Sequence, residues 1–290
     1  MKMSDGRIQD DFALLAVVDA YKWWINADFG FLQETGILNS SGKRSTLETG
    51  SLNEDIMRRI ARAYSVSRNI PSHDADTQAT VIVDALNGPD LRIHLCKPLP
   101  CRAKALVDFT RENPVALLAD EKGRIRKREL ASALSKLTWF LRPEEWTIFD
   151  RFVGVAVLRK TRVGTEQMQS FYQKLAGTWD QTQAALCDAA EDHGFNPLLG
   201  YRIADKYLFC HGVGMFKTHA DHIGKSTVRL DAASTLAERL SHPSVHKIRI
   251  SLLASEQVLS VHLGDKLKSL AKAVAPSLSQ AGWTTDLASQ

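Results

Sequence analysis

Apolar residues recur every three to four positions along most of this chain, a spacing that predicts helices. Phe12, Leu15, Val18 and Trp23 predict a helix over residues 11–25, with Asp10 or Asp11 as its cap. A polar loop runs from Gly36 to Gly50. Ser51-Leu-Asn-Glu54 then resembles a capping box opening a helix over 52–64, on which Arg58, Arg59 and Arg62 form a solvated face. Residues 76–86 read as a helix, Asn87-Gly-Pro-Asp90 as a turn, 91–95 as a short strand and 102–111 as a further helix that stops at Asn113-Pro114. Leu130, Ala133, Leu134, Leu137, Phe140 and Leu141 form the next stripe. Pro143 ends it, and Asp150 suits a cap for a short helix reaching Leu158. Helices follow over 165–175 and 180–191, and another from Pro197 to Phe209, with Gly212 and Gly214 punctuating its end.

The last fifty residues carry a different pattern. His246, Ile248, Ile250 and Leu252 alternate with Lys247, Arg249 and Ser251, and 258–263 offers a second strand before a helix over 265–274. The fold class expected is mainly α. Residues 1–115 and 116–240 would complete one helical body, and 241–290 would form a small strand-strand-helix appendage with a polar tail.

Composition narrows the function classes. The 290 residues carry a formal charge of +4, a balance that does not by itself announce nucleic acid. Basic residues are nevertheless clustered. Lys122, Arg124, Arg126, Lys127 and Arg128 precede the 130–152 segment, and Arg159, Lys160 and Arg162 follow it. Such clusters either neutralise phosphates, with binding that weakens as salt rises, or form plain solvated faces. Four cysteines, read as free thiols, and the lack of an export signal or an apolar run long enough to span a bilayer predict a cytoplasmic protein without a membrane partner. There is no Walker loop, dinucleotide fingerprint, serine elbow or four-cysteine iron–sulfur signature, so no cofactor is expected. Cys210-His211 with His219 and His222 is spaced too loosely to predict a metal site.

Lys136 lies at the edge of the apolar stripe, where a lysine becomes partly desolvated or snorkels to water. Ser135-Lys136, Trp139-Phe140-Leu141-Arg142-Pro143 and Ile148-Phe149-Asp150 together resemble a pattern of prokaryotic proteins related to 8-oxoguanine DNA glycosylases, within the helix-hairpin-helix glycosylase superfamily. Tyr201-Arg202-Ile203-Ala204-Asp205-Lys206-Tyr207-Leu208-Phe209 is similar to a helix near the end of those domains. The resemblance covers residues 120–212.

That resemblance implies a DNA N-glycosylase and lyase acting on an oxidised or modified purine. Lys136 would attack the anomeric carbon of the sugar, and Asp150 would stabilise the oxocarbenium charge that develops there. DNA would be the partner, with RNA or a free nucleotide as alternatives, and Arg124, Arg126, Lys127, Arg128, Arg159, Lys160 and Arg162 would meet its phosphates. An extruded base needs an aromatic platform, for which Trp139, Trp146, Phe149 and Phe209 are candidates, with Arg202 and Asp205 beside it. Aromatics at helical spacing also serve as core. The family anchors DNA with a glycine-rich hairpin ahead of the lysine, whereas residues 128–135 here contain no glycine. That departure keeps open a second reading, a non-catalytic nucleic-acid or nucleotide binding module retaining the fold.

Overall fold

The structure is a computed structural model that describes residues 5–67, 76–112, 117–119, 125–127, 130–160, 164–220, 226–230, 235–256 and 260–280. It is mainly helical. In chain order the elements are α1 (Asp5–Trp23), a π-helical turn (Trp24–Asp28), α2 (Phe29–Glu34), α3 (Glu54–Ala63), α4 (Asp76–Asn87), α5 (Pro89–Leu95), α6 (Leu99–Glu112), β1 (Leu117–Ala119), β2 (Ile125–Lys127), α7 (Ala131–Leu141), α8 (Arg151–Leu158), α9 (Thr165–Asp192), α10 (Leu199–Gly214), β3 (Phe216–Ala220), β4 (Ser226–Leu230), α11 (Leu236–Leu240), α12 (Pro243–Glu256) and α13 (Val261–Gln280). The strands form two antiparallel hairpins, β1–β2 and β3–β4. No helix among the described residues is long and apolar enough to cross a membrane.

The chain divides into two compact units, one comprising residues 1–23, 152–162 and 177–290, the other 24–151 and 163–176. They are called here the α10 unit and the α7 unit after their most buried helices. The boundaries differ from the linear division at 115 and 240: residues 243–280 are an integral part of the α10 unit, where α13 packs on α1.

In the α10 unit, Phe12, Ala13, Ala16, Val17 and Ala20 are fully buried on α1, which packs against both α10 and α13. Tyr201 and Phe209 are the only residues of α10 that are even half-exposed. Its glycines explain how it sits so deep. A Cβ at Gly200 would come 2.7 Å from the backbone nitrogen of Cys187, one at Gly214 2.7 Å from the carbonyl oxygen of Arg239, and one at Gly212 would run into the carbonyl of Phe152. Gly212 therefore lies within α10 as a point of backbone-to-backbone approach and does not terminate it. Residues 246–252, expected as a strand, are helical, and α13 occupies 261–263 of the second expected strand, whose residues 257–259 lie outside the described set. Pro243 is well suited to a first helical turn, and the His242 ring and carbonyl accept hydrogen bonds from the N–H groups of Ser244 (3.2 Å) and His246 (2.9 Å). The alternation defines no buried face, since Ile250 is exposed while Val245 is buried.

In the α7 unit, α3 is capped by Asn53, whose side chain accepts from the Ile56 N–H at 2.8 Å; the cap is not Ser51. Residues 91–95 form α5 and not a strand. Pro89 opens the helix, and Leu91 and Leu95, one turn apart, are buried while Ile93 between them is exposed. The 36–53 loop is tied to the end of α7 by a bond from the Gly50 N–H to the Leu141 carbonyl (2.8 Å). It is tied to α4 by the Asn87 amide, which bonds both the N–H and the C=O of Leu52 (3.0 and 2.7 Å). The helices expected over 165–175 and 180–191 are one continuous helix, α9, which accommodates Gly177 without contact at the position of a Cβ.

Candidate active site

α7 builds the site from a sequence that is apolar nearly all round. Every residue from Ala131 to Leu141 is buried except Ser132, which is half-exposed. Lys136 is therefore not at the rim of a stripe: it is only 6% exposed. Its side chain leans back toward the start of the helix, as helical side chains do. Nζ donates to the Ser132 hydroxyl at 2.6 Å and approaches the Ser132 carbonyl at 3.4 Å.

The next residue fixes the second half of the site. The Ser135 hydroxyl accepts from the Phe149 N–H (3.1 Å), and its own proton is shared between the carbonyls of Phe149 (3.0 Å) and Ser132 (3.1 Å). The Trp146 indole N–H donates to the Ser135 carbonyl at 3.1 Å. These bonds lay residues 146–149 along α7, so that Asp150 follows a residue pinned to the neighbour of Lys136. Asp150 is half-buried and directly precedes α8.

Two further side chains brace this segment. The Tyr172 hydroxyl donates to the Thr147 carbonyl (2.7 Å), and its ring stacks on Trp146 at 4.3 Å. Arg102, fully buried on α6, donates to the carbonyls of Lys97 and Glu144 (both 2.6 Å) and to the Glu145 carboxylate (2.9 Å). Burial pulls the Arg102 guanidinium below its ordinary range, and Glu145 works in the opposite direction. Glu145 itself has φ +59°, which gives the turn after Pro143 its tight course.

The other expected site residues fare differently. Trp139 and Phe149 are 0% and 2% exposed, so their rings are core and offer no open platform. Phe149 meets Phe171 edge-on at 5.1 Å, and Trp139 meets Phe140 at 4.9 Å. Arg202, Asp205 and Phe209 belong to the α10 unit, apart from the unit that holds Lys136 and Asp150. Arg202 and Asp205 are buried and ion-paired with each other at 2.6 Å, a pairing set by their i, i+3 spacing. Phe209 is half-buried with its edge toward Phe152. Of the basic clusters, Arg126 and Lys127 are on β2, Arg159 is half-buried with Nη1 3.2 Å from the Met215 sulfur, and Lys160 is exposed. Lys122, Arg124, Arg128 and Arg162 lie outside the described residues.

Cys210 and His211 are buried on α10. Burial pushes the Cys210 thiol up to about 12 and holds the His211 ring well below its usual range, with Arg239 and Arg159 adding to the His211 shift. Among the described residues no group of three His, Cys, Asp or Glu side chains is placed to hold a metal ion. His219 is on β3, and His222 lies outside the described residues.

Sequence reasoning missed Ser132, Ser135 and Arg102 as parts of the site. Ser132 was legible as the i−4 partner of Lys136. The partners of Ser135 and Arg102 depend on tertiary approach and left no local signal. No protein family matches this chain, and neither a curated protein nor a solved structure shows detectable similarity to it.

Proposed function

We propose that this chain is a DNA N-glycosylase with lyase activity, excising an oxidised or modified purine through Lys136 and Asp150. The observation that supports the reading is a lysine buried on α7, with the chain leading to Asp150 pinned to the adjacent residue by the paired Ser135–Phe149 bonds.

In the reaction the Lys136 lone pair forms a bond to the anomeric carbon as the glycosidic bond breaks. The departing base carries away that electron pair and takes up a proton. The Asp150 carboxylate opposes the positive charge that builds on the sugar. Loss of the proton from nitrogen and opening of the sugar ring give a Schiff base, from which the 3′ phosphate leaves by elimination.

Borohydride reduces such an imine to a stable amine. Wild-type protein incubated with borohydride and duplex DNA containing an oxidised purine is expected to yield a covalent protein–DNA adduct that Lys136→Gln abolishes. No adduct from the wild type, with salt-sensitive DNA binding intact, would instead establish the non-catalytic binding module, the reading favoured by the lack of glycine over residues 128–135.

A further inference from the structure

We infer that Ser132 is the positioning and proton-relay residue for Lys136. The inference deepens the lysine reading above and rests on it, because a relay has a role only if the Lys136 amine reacts.

Three observations carry it. The Ser132 hydroxyl is 2.6 Å from Nζ, one helical turn before Lys136. Ser132 is the one residue of α7 that is not buried, so the hydroxyl that bonds the buried Lys136 belongs to the residue of the helix nearest to solvent. The Ser132 carbonyl accepts from the Ser135 hydroxyl at 3.1 Å and lies 3.4 Å from Nζ, which ties the relay to the residue that pins the Asp150 segment.

The chemistry suits a hydroxyl better than a carboxylate. A hydroxyl both donates and accepts, so it holds an ammonium by accepting and a neutral amine by donating, whereas a carboxylate favours the charged form.

With an aldehyde, the amine lone pair forms a C–N bond and the C=O π pair moves onto oxygen. A proton passes from nitrogen to the Ser132 oxygen while the Ser132 proton passes to water, and water supplies a proton to the new alkoxide. Loss of water from the carbinolamine then leaves the imine.

The test uses the full chain with glycolaldehyde and cyanoborohydride, reading alkylation at each lysine by peptide mass spectrometry. Wild type is expected to be modified at Lys136. Ser132→Ala is expected to slow that modification by at least about tenfold, and Ser132→Thr to restore it, with Lys104 and Lys160 modified at equal rates in all three. The thermal midpoint of each variant is measured alongside. A Ser132→Ala rate equal to wild type, or a folded Ser132→Thr as slow as Ser132→Ala, overturns the relay and leaves the lysine reading standing. A wild-type Lys136 that takes up no label overturns the lysine reading, and the relay with it.

Discussion

Each unit of this chain is built round a helix buried on nearly every side, and each of those helices carries a buried lysine held differently. On α10, Lys206 pairs with the Asp19 carboxylate at 3.1 Å, and its Nζ lies 4.5 Å from the centre of the Trp23 ring and 5.6 Å from that of Phe209. On α7, the Lys136 amine bonds a hydroxyl of its own helix. A carboxylate and two aromatic faces are all partners of a cation, so Lys206 belongs to an internal ion pair of the α10 unit. A hydroxyl, unlike a carboxylate, both donates and accepts. Two lysines of similar burial thus sit in different surroundings, one in an ion pair and the other against a hydroxyl of its own helix.

The largest expected effect tests the structural side of that contrast. Asp19→Asn keeps the shape of the side chain but leaves the Lys206 charge buried without its counter-ion, and should cost about 3–5 kcal/mol in urea unfolding. A change below about 1 kcal/mol would show that Lys206 does not depend on Asp19. Next in size is Gly212→Ala, whose added methyl meets the Phe152 carbonyl. Because backbone yields less readily than a side chain, the expected loss is about 3 kcal/mol, read the same way. α7 contains no glycine and packs through Trp139, Phe140 and its leucines, so Ala133→Gly there should cost only about 1 kcal/mol, near the intrinsic helix penalty.

The interior of α10 also predicts a pH dependence. The His211 ring stacks on Phe12 at 4.2 Å, meets Tyr207 edge-on, and has no hydrogen-bond partner for either nitrogen among the described residues. Burial, with Arg239 and Arg159 nearby, holds its folded-state pKa well below the ordinary 6.5. Above pH 6.5 both folded and unfolded chains keep this ring neutral, and the full contribution is present. As pH falls through 6.5 the unfolded chain takes up a proton that the folded chain refuses, and stability is lost by about 1.4 kcal/mol at pH 5.5. His211→Phe removes this contribution, so the difference in unfolding free energy between pH 7.5 and 5.5 should shrink by that amount. An unchanged difference would mean that the ring is protonated in the fold.

How far this arrangement was legible in the sequence depended on whether a residue's partner was local. The α7 helix, the turn at Pro143 and the start of α8 followed from period and proline chemistry, because those signals lie within a few residues of the element they set. The depth of Lys136 did not. Its helix reads as one stripe in sequence, and the other side is closed by elements far along the chain. Gly214 does close α10, as its position suggests, but Gly212 lies two residues inside the helix for a reason that is not local: it is required by the Phe152 carbonyl, sixty residues away. At α12, a seven-residue alternation outweighed the proline that starts the helix, although an alternation that short does not distinguish a strand from a half-exposed helix. The pairing of Arg202 with Asp205 follows from local i, i+3 spacing, whereas its burial depends on helices far along the chain, α1 among them.

The smallest expected effect is the most informative about α7. Lys136→Met keeps the length and most of the volume of the side chain and removes a buried amine, a replacement that is commonly neutral or stabilising. Its urea midpoint is expected within about 1 kcal/mol of wild type, while borohydride trapping on DNA falls to background. Lys206→Met, by contrast, strands the Asp19 carboxylate and is expected to cost about 3 kcal/mol. If Lys136→Met instead costs as much as Lys206→Met, both lysines hold their units together and the distinction drawn from their partners fails. If it costs little and abolishes trapping, Lys136 is retained for its chemistry, since the fold would do as well without its amine.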